Sequence, residues 1–196
     1  MAEEKSKRDI ILGAAAVVFA KHGFHNAKME EIAGEAGVGK GTLYEYFSSK
    51  QQLFQELFVN GVEKFINQIN TETAKCPGAI SKLRKIALLH CHHMINSRDL
   101  TRVTMDGHGQ LNSDFRRWIC EVQAQKTKLI KQIIEEGIAS GEFRPDLDSQ
   151  AAAMAFSGAM ASIFHIAIFN DKMDEASLAK QVEEIADVIF KGMQKM

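Results

Sequence analysis

The sequence predicts an all-α protein, with an N-terminal three-helix helix-turn-helix head followed by a C-terminal helical bundle, about nine helices in all. Three observations lead there. Apolar residues recur at helical spacing along nearly the whole chain. Only two prolines, Pro77 and Pro145, interrupt it. No long run alternates polar and apolar residues, and Asp106-Gly107 has flanks unlike strands, so no hairpin is indicated.

The elements follow in order. Ile10, Ile11, Ala14, Ala15, Val18 and Phe19 give one apolar face to a helix from Ser6 to His22, which Gly23 ends in the manner of a C′ glycine. A short helix from Met29 to Ala36 stops at Gly37, and another spans Lys40 to Phe47. Ser48 or Ser49 caps a long helix from Lys50, whose stripe is Leu53, Phe54, Leu57, Phe58, Val62, Phe65, Ile66 and Ile69. After Pro77-Gly78, helices are expected over Ala79–Asn96, Leu100–Met105 and Asn112–Ser140. Gly141 and Pro145 punctuate, and Asp146 or Asp148 caps the next helix, to Phe169. Asp174 caps the last, with Leu178, Val182, Ile185, Ile189 and Met193 on its face.

Composition excludes several classes. Hydrophobic residues are 45% and charged residues 25%, which suits an ordinary soluble protein. The formal net charge is -1, so affinity for nucleic acid must come from a local arrangement. In residues 1–50 Lys5, Lys7, Arg8, Lys21, Lys28, Lys40 and Lys50 are balanced by Glu3, Glu4, Asp9, Glu30, Glu31, Glu35 and Glu45. Cys76, Cys91 and Cys120 are far apart and form no CxxC pair, which argues against a disulfide scaffold or zinc ribbon. The start, MAEEKSKRD, lacks the apolar core of a signal peptide, and a reducing cytoplasm is the expected location. Ala151 to Phe169 contains no Asp, Glu, Lys or Arg. Its length permits a membrane span, but its Ala-rich content with Ser157, Gly158, Ser162 and His165 favours burial in protein. No Asp or Glu has a His three residues on, and GxSxG, P-loop and HExxH motifs are absent, so neither an enzyme nor a cofactor is expected.

Two short helices around Gly37-Val38-Gly39 form the helix-turn-helix pattern. Gly37 supplies a positive φ for the turn. Ile32, Ala33, Ala36, Leu43 and Phe47 can reach the first helix, which leaves Lys40, Gly41, Thr42, Tyr44, Glu45 and Tyr46 outward. That face suits DNA: backbone N–H groups at the helix start can meet a phosphate, Lys40 can reach guanine, and tyrosines carry hydroxyl donors. The spacing alone equally admits a small helical subdomain whose aromatics are core.

Residues 8–58, above all Gly23 to Phe54 with AGVGKGTLYEYFSSK, resemble the TetR family of regulators. The resemblance implies a homodimer with a DNA-binding head (1–49) and a ligand-binding and dimerisation domain (50–196). It implies that Lys40, Gly41 and Tyr44 read base edges and that Thr42, Tyr46 and Lys50 contact phosphate. Two positions depart from the family pattern: Lys28 stands where Thr or Ser is common, keeping phosphate contact by charge, and Gly39 replaces a Ser-type cap. The partners implied are double-stranded DNA with a near-palindromic operator and a small effector. The family pocket maps onto Leu89, His93, Met94, Met105, Phe115, Trp118, Ile119, Phe156, Met160 and Phe164, where Met and aromatic residues suit a hydrophobic ligand, although core packing explains each singly. Val103 through Glu142, with EEGIASGEF, resembles family members that repress fatty-acid degradation genes and are released by long-chain acyl-CoA, with Arg116 and Arg117 at a basic mouth. A lipophilic drug or another hydrophobic metabolite is the other effector class. The expected function is a repressor released by a hydrophobic molecule; the alternative is a DNA-bound adaptor that signals through a protein partner. His90, His92 and His93, with His108 and His165, leave metal binding open, although no carboxylate is spaced to complete a site. The last two helices are expected to form the dimer, since Ala151, Ala155, Gly158, Ala159 and Ser162 allow close backbone approach.

Overall fold

The computed structural model describes residues 6–98, 101–102, 113–170 and 173–194, with backbone only at 94 and 164. Among the described residues there are eight helices and no strand: α1 (Lys7–Asn26), α2 (Met29–Glu35), α3 (Lys40–Tyr46), α4 (Lys50–Thr73), α5 (Ala79–Asn96), α6 (Ser113–Ser140), α7 (Ser149–Phe169) and α8 (Glu175–Met193). The all-α expectation holds. Of the short helix expected over Leu100–Met105, Thr101 and Arg102 are helical and the rest lies outside the described residues. The chain divides into two compact units: Met1–Lys64 with Asp99–Arg116, and Phe65–Arg98 with Arg117–Met196. Helices α4 and α6 each contribute to both.

In the first unit α1 begins where Ser6 accepts a hydrogen bond from the Asp9 N–H at 3.2 Å. Its core face is Ile11, Leu12, Ala14, Ala15, Val18 and Phe19. Ile10, expected on this face, is exposed, and Leu12 is buried in its stead. Gly23 adopts φ 71° and interrupts the helix as its residue type demands, but the chain regains helical geometry and runs to Asn26. Phe54 of α4 meets Phe19 edge-on at 5.2 Å and Phe24 at 5.0 Å. Arg8 pairs with Glu56 and lies 5.6 Å over the Phe47 ring. Ser49 caps α4 by accepting from the Gln52 N–H at 3.1 Å, while Gln52 Oε1 accepts from the Ser48 N–H at 2.8 Å.

In the second unit α5, α7 and α8 pack on one another around Leu83, Phe156, Ala167 and Leu178. Asp148 caps α7 and Asp174 caps α8, each accepting a backbone N–H at 2.8 Å. The buried face of α8 is Leu178, Val182, Ala186, Phe190 and Met193. The expected Ile185 and Ile189 are only partly buried, because the larger Phe190 ring takes the central place, stacked on Phe156 at 6.3 Å. Arg84 of α5 lies over that ring and pairs with Glu183 and Asp187.

Burial of α7 holds on one face only. By length and composition it could cross a membrane, yet Ala152, Ala153, Phe156, Met160, Ile163, Ala167 and Ile168 sit in the core. Ala151, Met154, Ala155, Gly158, Ala161, Ser162, His165, Ile166 and Phe169 are exposed in the single chain. The helix is therefore apolar on both faces while one chain covers one of them.

The segment EEGIASGEF is a joint between α6 and α5. A Cβ on Gly137 would lie 2.3 Å from the Phe143 ring and 2.7 Å from Ala79 Cβ, so only glycine admits this approach. Gly141 turns with φ 82°, and Phe143 is buried. Glu142 reaches the start of α5 and accepts from the N–H groups of Ala79 (2.9 Å) and Ile80 (3.1 Å), two donors that a helix start leaves unpaired. Burial opposes the anion, but these bonds, the Ser140 hydroxyl and the Lys82 charge outweigh it and hold the carboxyl below its ordinary value. Glu142→Ala should cost about 1 kcal/mol in urea unfolding at neutral pH. Because the folded carboxyl titrates below its unfolded value of 4.5, the contribution is present above that pH and disappears as pH falls through the folded value. An unchanged midpoint at pH 7 would remove the cap from the account.

Candidate DNA interface and effector region

The turn between α2 and α3 is built by backbone geometry. Gly37 takes φ 66°, its N–H bonds to Gly34 O at 3.1 Å, and the Val38 N–H bonds to Ala33 O at 3.0 Å. These two bonds are the Schellman closure, which needs a left-handed residue at its centre. The next helix begins at Gly39, which has no side chain to cap it, and Lys28 likewise makes no capping bond at the start of α2.

Helix α3 buries Leu43, with Phe47 buried just beyond its end. The opposite side carries Lys40, Gly41, Tyr44, Glu45 and Tyr46, all exposed, with Thr42 partly so. Tyr44 and Tyr46 are 43% and 40% exposed, unusual for large side chains with no solvent-side packing. Lys40 is ion-paired to Glu30 of α2 at 2.5 Å and lies 5.9 Å from the Tyr44 ring. The pair lowers the Glu30 pKa and raises that of Lys40, through their hydrogen bond first and their charges second. Both side chains are more than half exposed, so a guanine edge or phosphate can displace Glu30 with little loss.

Lys50 sits differently from the other basic residues. Its ammonium donates to His25 O and Ala27 O, both at 2.9 Å, and lies 4.9 Å over the Phe24 ring. It ties the start of α4 to the α1–α2 connection, and one of its three protons remains for another acceptor. Sequence reasoning gave it phosphate contact and missed this tie, for which spacing carries no signal.

The residues expected to line the effector pocket fall in both units. Phe115 is buried in the first, edge-on to Phe58 at 5.6 Å. In the second, Phe156 and Met160 are core, while Leu89, His93, Trp118 and Ile119 are partly buried. Met105 and the side chains of Met94 and Phe164 lie outside the described residues. Arg116 and Arg117 are exposed.

The histidines do not act as one group. His92 meets Glu175 at 2.7 Å, and His165 contacts Phe169. His90 and His93 both face Phe65 of α4, and His93 stacks on it at 4.3 Å. Burial, then the charge of Lys126, pushes His90 down to about 3 and His93 down to about 4. Among the described residues no three metal-ligating side chains converge; His108 lies outside them. Sequence reasoning missed Lys126, although its signal was present: it stands midway between Val122 and Ile130, at four-residue spacing on a buried stripe.

Comparison with known proteins agrees with this geometry. Residues 11–57 match the model of the bacterial regulatory proteins, tetR family, and residues 58–192 match that of the YsiA-like protein, C-terminal region. The fatty acid metabolism regulator protein of Bacillus subtilis is 29% identical over 186 residues, covering 94% of this chain and 96% of that protein. The transcriptional repressor KstR2 of Mycolicibacterium smegmatis is 28% identical over 145 residues, 73% of this chain and 70% of the relative. Among solved structures, FadR of Bacillus subtilis in complex with stearoyl-CoA superposes with a TM-score of 0.79 at 26% identity, covering 94% of this chain and 98% of that one. The fatty acid degradation regulator FadR of Bacillus halodurans gives 0.78 at 25%, with 96% of each chain covered. On this evidence the chain belongs to the TetR family of bacterial DNA-binding transcriptional regulators, a non-enzymatic class.

Proposed function

We propose that this regulator is a cytoplasmic, homodimeric repressor that leaves a near-palindromic operator when a hydrophobic effector of the long-chain acyl-CoA class binds. The observation that carries the reading is the match of nearly the whole chain to a regulator whose structure holds stearoyl-CoA. In this reading residues 1–49 form the reader head and 50–196 the sensing and dimerisation domain. Lys40, Gly41 and Tyr44 read bases, and Lys28, Thr42, Tyr46 and Lys50 hold phosphates, for which the exposed face of α3 is suited. Leu89, His93, Met94, Met105, Phe115, Trp118, Ile119, Phe156, Met160 and Phe164 border the effector. The exposed apolar stripe of α7, with Met154 at 61%, and Val188 of α8 at 74%, supports a twofold dimer through these helices. Two heads related by that axis enter successive major grooves, which sets the palindrome.

Helix α4 offers the route for release. It is one uninterrupted helix, with Leu53 and Phe54 buried in the first unit and Phe65 and Ile69 in the second. An effector that displaces its far end moves the head with it. A ligand that prefers the displaced state by about 1–3 kcal/mol lowers operator affinity about 5- to 150-fold, and operator lowers ligand affinity by the same factor.

Two experiments test the reading once random-site selection has supplied an operator. Tyr44→Ala should weaken the specific site by about 1–3 kcal/mol and random DNA much less. Equal losses on both would make Tyr44 a packing or phosphate residue. Palmitoyl-CoA should bind with operator present more weakly than without it, by the factor through which it weakens operator binding. Tight binding indifferent to DNA would refute the coupling, and failure of every lipophile to bind would favour an adaptor that signals through a protein.

A further inference from the structure

Within the second unit, three basic side chains surround one aromatic ring. Phe65 of α4 is buried. His93 of α5 stacks on it at 4.3 Å with the planes 18° apart, His90 approaches at 5.8 Å, and the Lys126 ammonium of α6 lies 5.6 Å from the ring centre. We propose that Lys126, with His90 and His93 beside it around Phe65, is the seat of an oxyanion carried on an apolar ligand. The inference rests on the effector reading and deepens it by naming which of this chain's groups hold the polar end of the effector.

The argument is electrostatic. Lys126 makes no ion pair among the described residues, and its pKa is lowered by burial with no acidic neighbour to offset it. A desolvated ammonium without an anion is unfavourable in a folded protein and is ordinarily removed or paired. The charges acting on His90 are those of Lys126 and His93, and those on His93 are Lys126 and His92. His92, the other titratable group of this helix face, is turned to Glu175 of α8. Among the described residues no carboxylate pairs with Lys126, whose positive charge lies within an apolar bundle with Ile69, Ile86 and Ile130 in the neighbouring core. The desolvation of Lys126 already exists in the free protein, so an incoming oxyanion gains attraction to a site that is preorganised for it. The neutral imidazole of His93 adds an N–H donor at the same place. His90, His93 and Lys126 each keep part of their surface exposed, so the cluster is reachable. The cation–π contact with Phe65 holds the ammonium where an acyl chain can lie along the core.

A carboxylate and a CoA phosphate share this chemistry, and the test separates them. Calorimetric titrations would use lauroyl-CoA, laurate and dodecanol against the wild-type protein, Lys126→Met and Lys126→Arg. The expected result is that Lys126→Met weakens the bound oxyanion ligand by about tenfold to a hundredfold, leaves dodecanol unchanged, and that Lys126→Arg retains binding. Whether laurate or only lauroyl-CoA shows the effect tells which oxyanion occupies the seat. Thermal melting supplies the control against a structural role. Methionine in place of an unpaired buried charge should leave the melting temperature unchanged or raise it, whereas a lysine needed for folding would lower it. Equal affinity of Lys126→Met and wild type for lauroyl-CoA would overturn the seat while leaving the effector reading intact. Absence of wild-type binding to all three ligands would overturn both.

Discussion

A helix without one charged residue between Ala151 and Phe169 has two faces to hide, and a single chain hides one. That constraint on α7 organises the rest of the account. Its inner face, through Phe156, Ile163 and Ala167, meets α5 and α8 and fixes the core of the second unit. Its outer face is a stripe of Ala, Gly and Ser punctuated by Met154, Ile166 and Phe169, where small residues let a second helix come close and the large ones supply area to bury. A copy of the same stripe, related by a twofold axis, is the self-complementary partner that such a surface accepts. If two chains pair there, the DNA-reading faces come in twos, and the symmetry of the operator follows from the symmetry of α7.

The head relies on weaker forces, as suits a surface that must exchange partners. Lys40 is held by an exposed Glu30, an interaction that water already weakens and that DNA can replace. Tyr44 and Tyr46 stay exposed, with hydrophobic rings and hydroxyls both available to a groove. Lys50 is the exception. Two backbone carbonyls and an aromatic ring hold it, so it fixes the α1–α2 connection against α4 before any DNA arrives. Acidic and basic residues balance in this part of the chain, so the proposed reading places DNA affinity in this local arrangement rather than in bulk charge.

Much of this was legible in the sequence, for identifiable reasons. Gly37 announces a positive φ and has it, and Gly141 marks the end of α6. Asp148, Asp174, Ser49 and Gly39 mark helix starts where they stand. Periodicity placed Leu43, Phe54 and Leu178 inside. It failed where side-chain size competes with spacing, as Phe190 displaced Ile185 and Ile189 from the centre of the α8 face, and where apolar residues adjoin the stripe on both sides, as Leu12 is buried and Ile10 is not. It could not distinguish a helix buried all round from one awaiting a second chain, because the α7 residues are apolar in either case. The long-range contacts were invisible to it. The bonds from Glu142 to the start of α5, and the meeting of Phe65, His90, His93 and Lys126 from three helices, depend on tertiary placement.

The central claim is that the outer stripe of α7 pairs two chains and that this pairing makes operator binding possible. Sedimentation equilibrium of the wild type and of Met154→Glu, alongside operator binding by each, tests it most directly. The account predicts a wild-type dimer at micromolar concentration, and a Met154→Glu protein that is monomeric and helical, binds a half-site as before and binds the full operator far more weakly. A wild-type monomer, or a Met154→Glu protein that remains a dimer with full operator affinity, would contradict it.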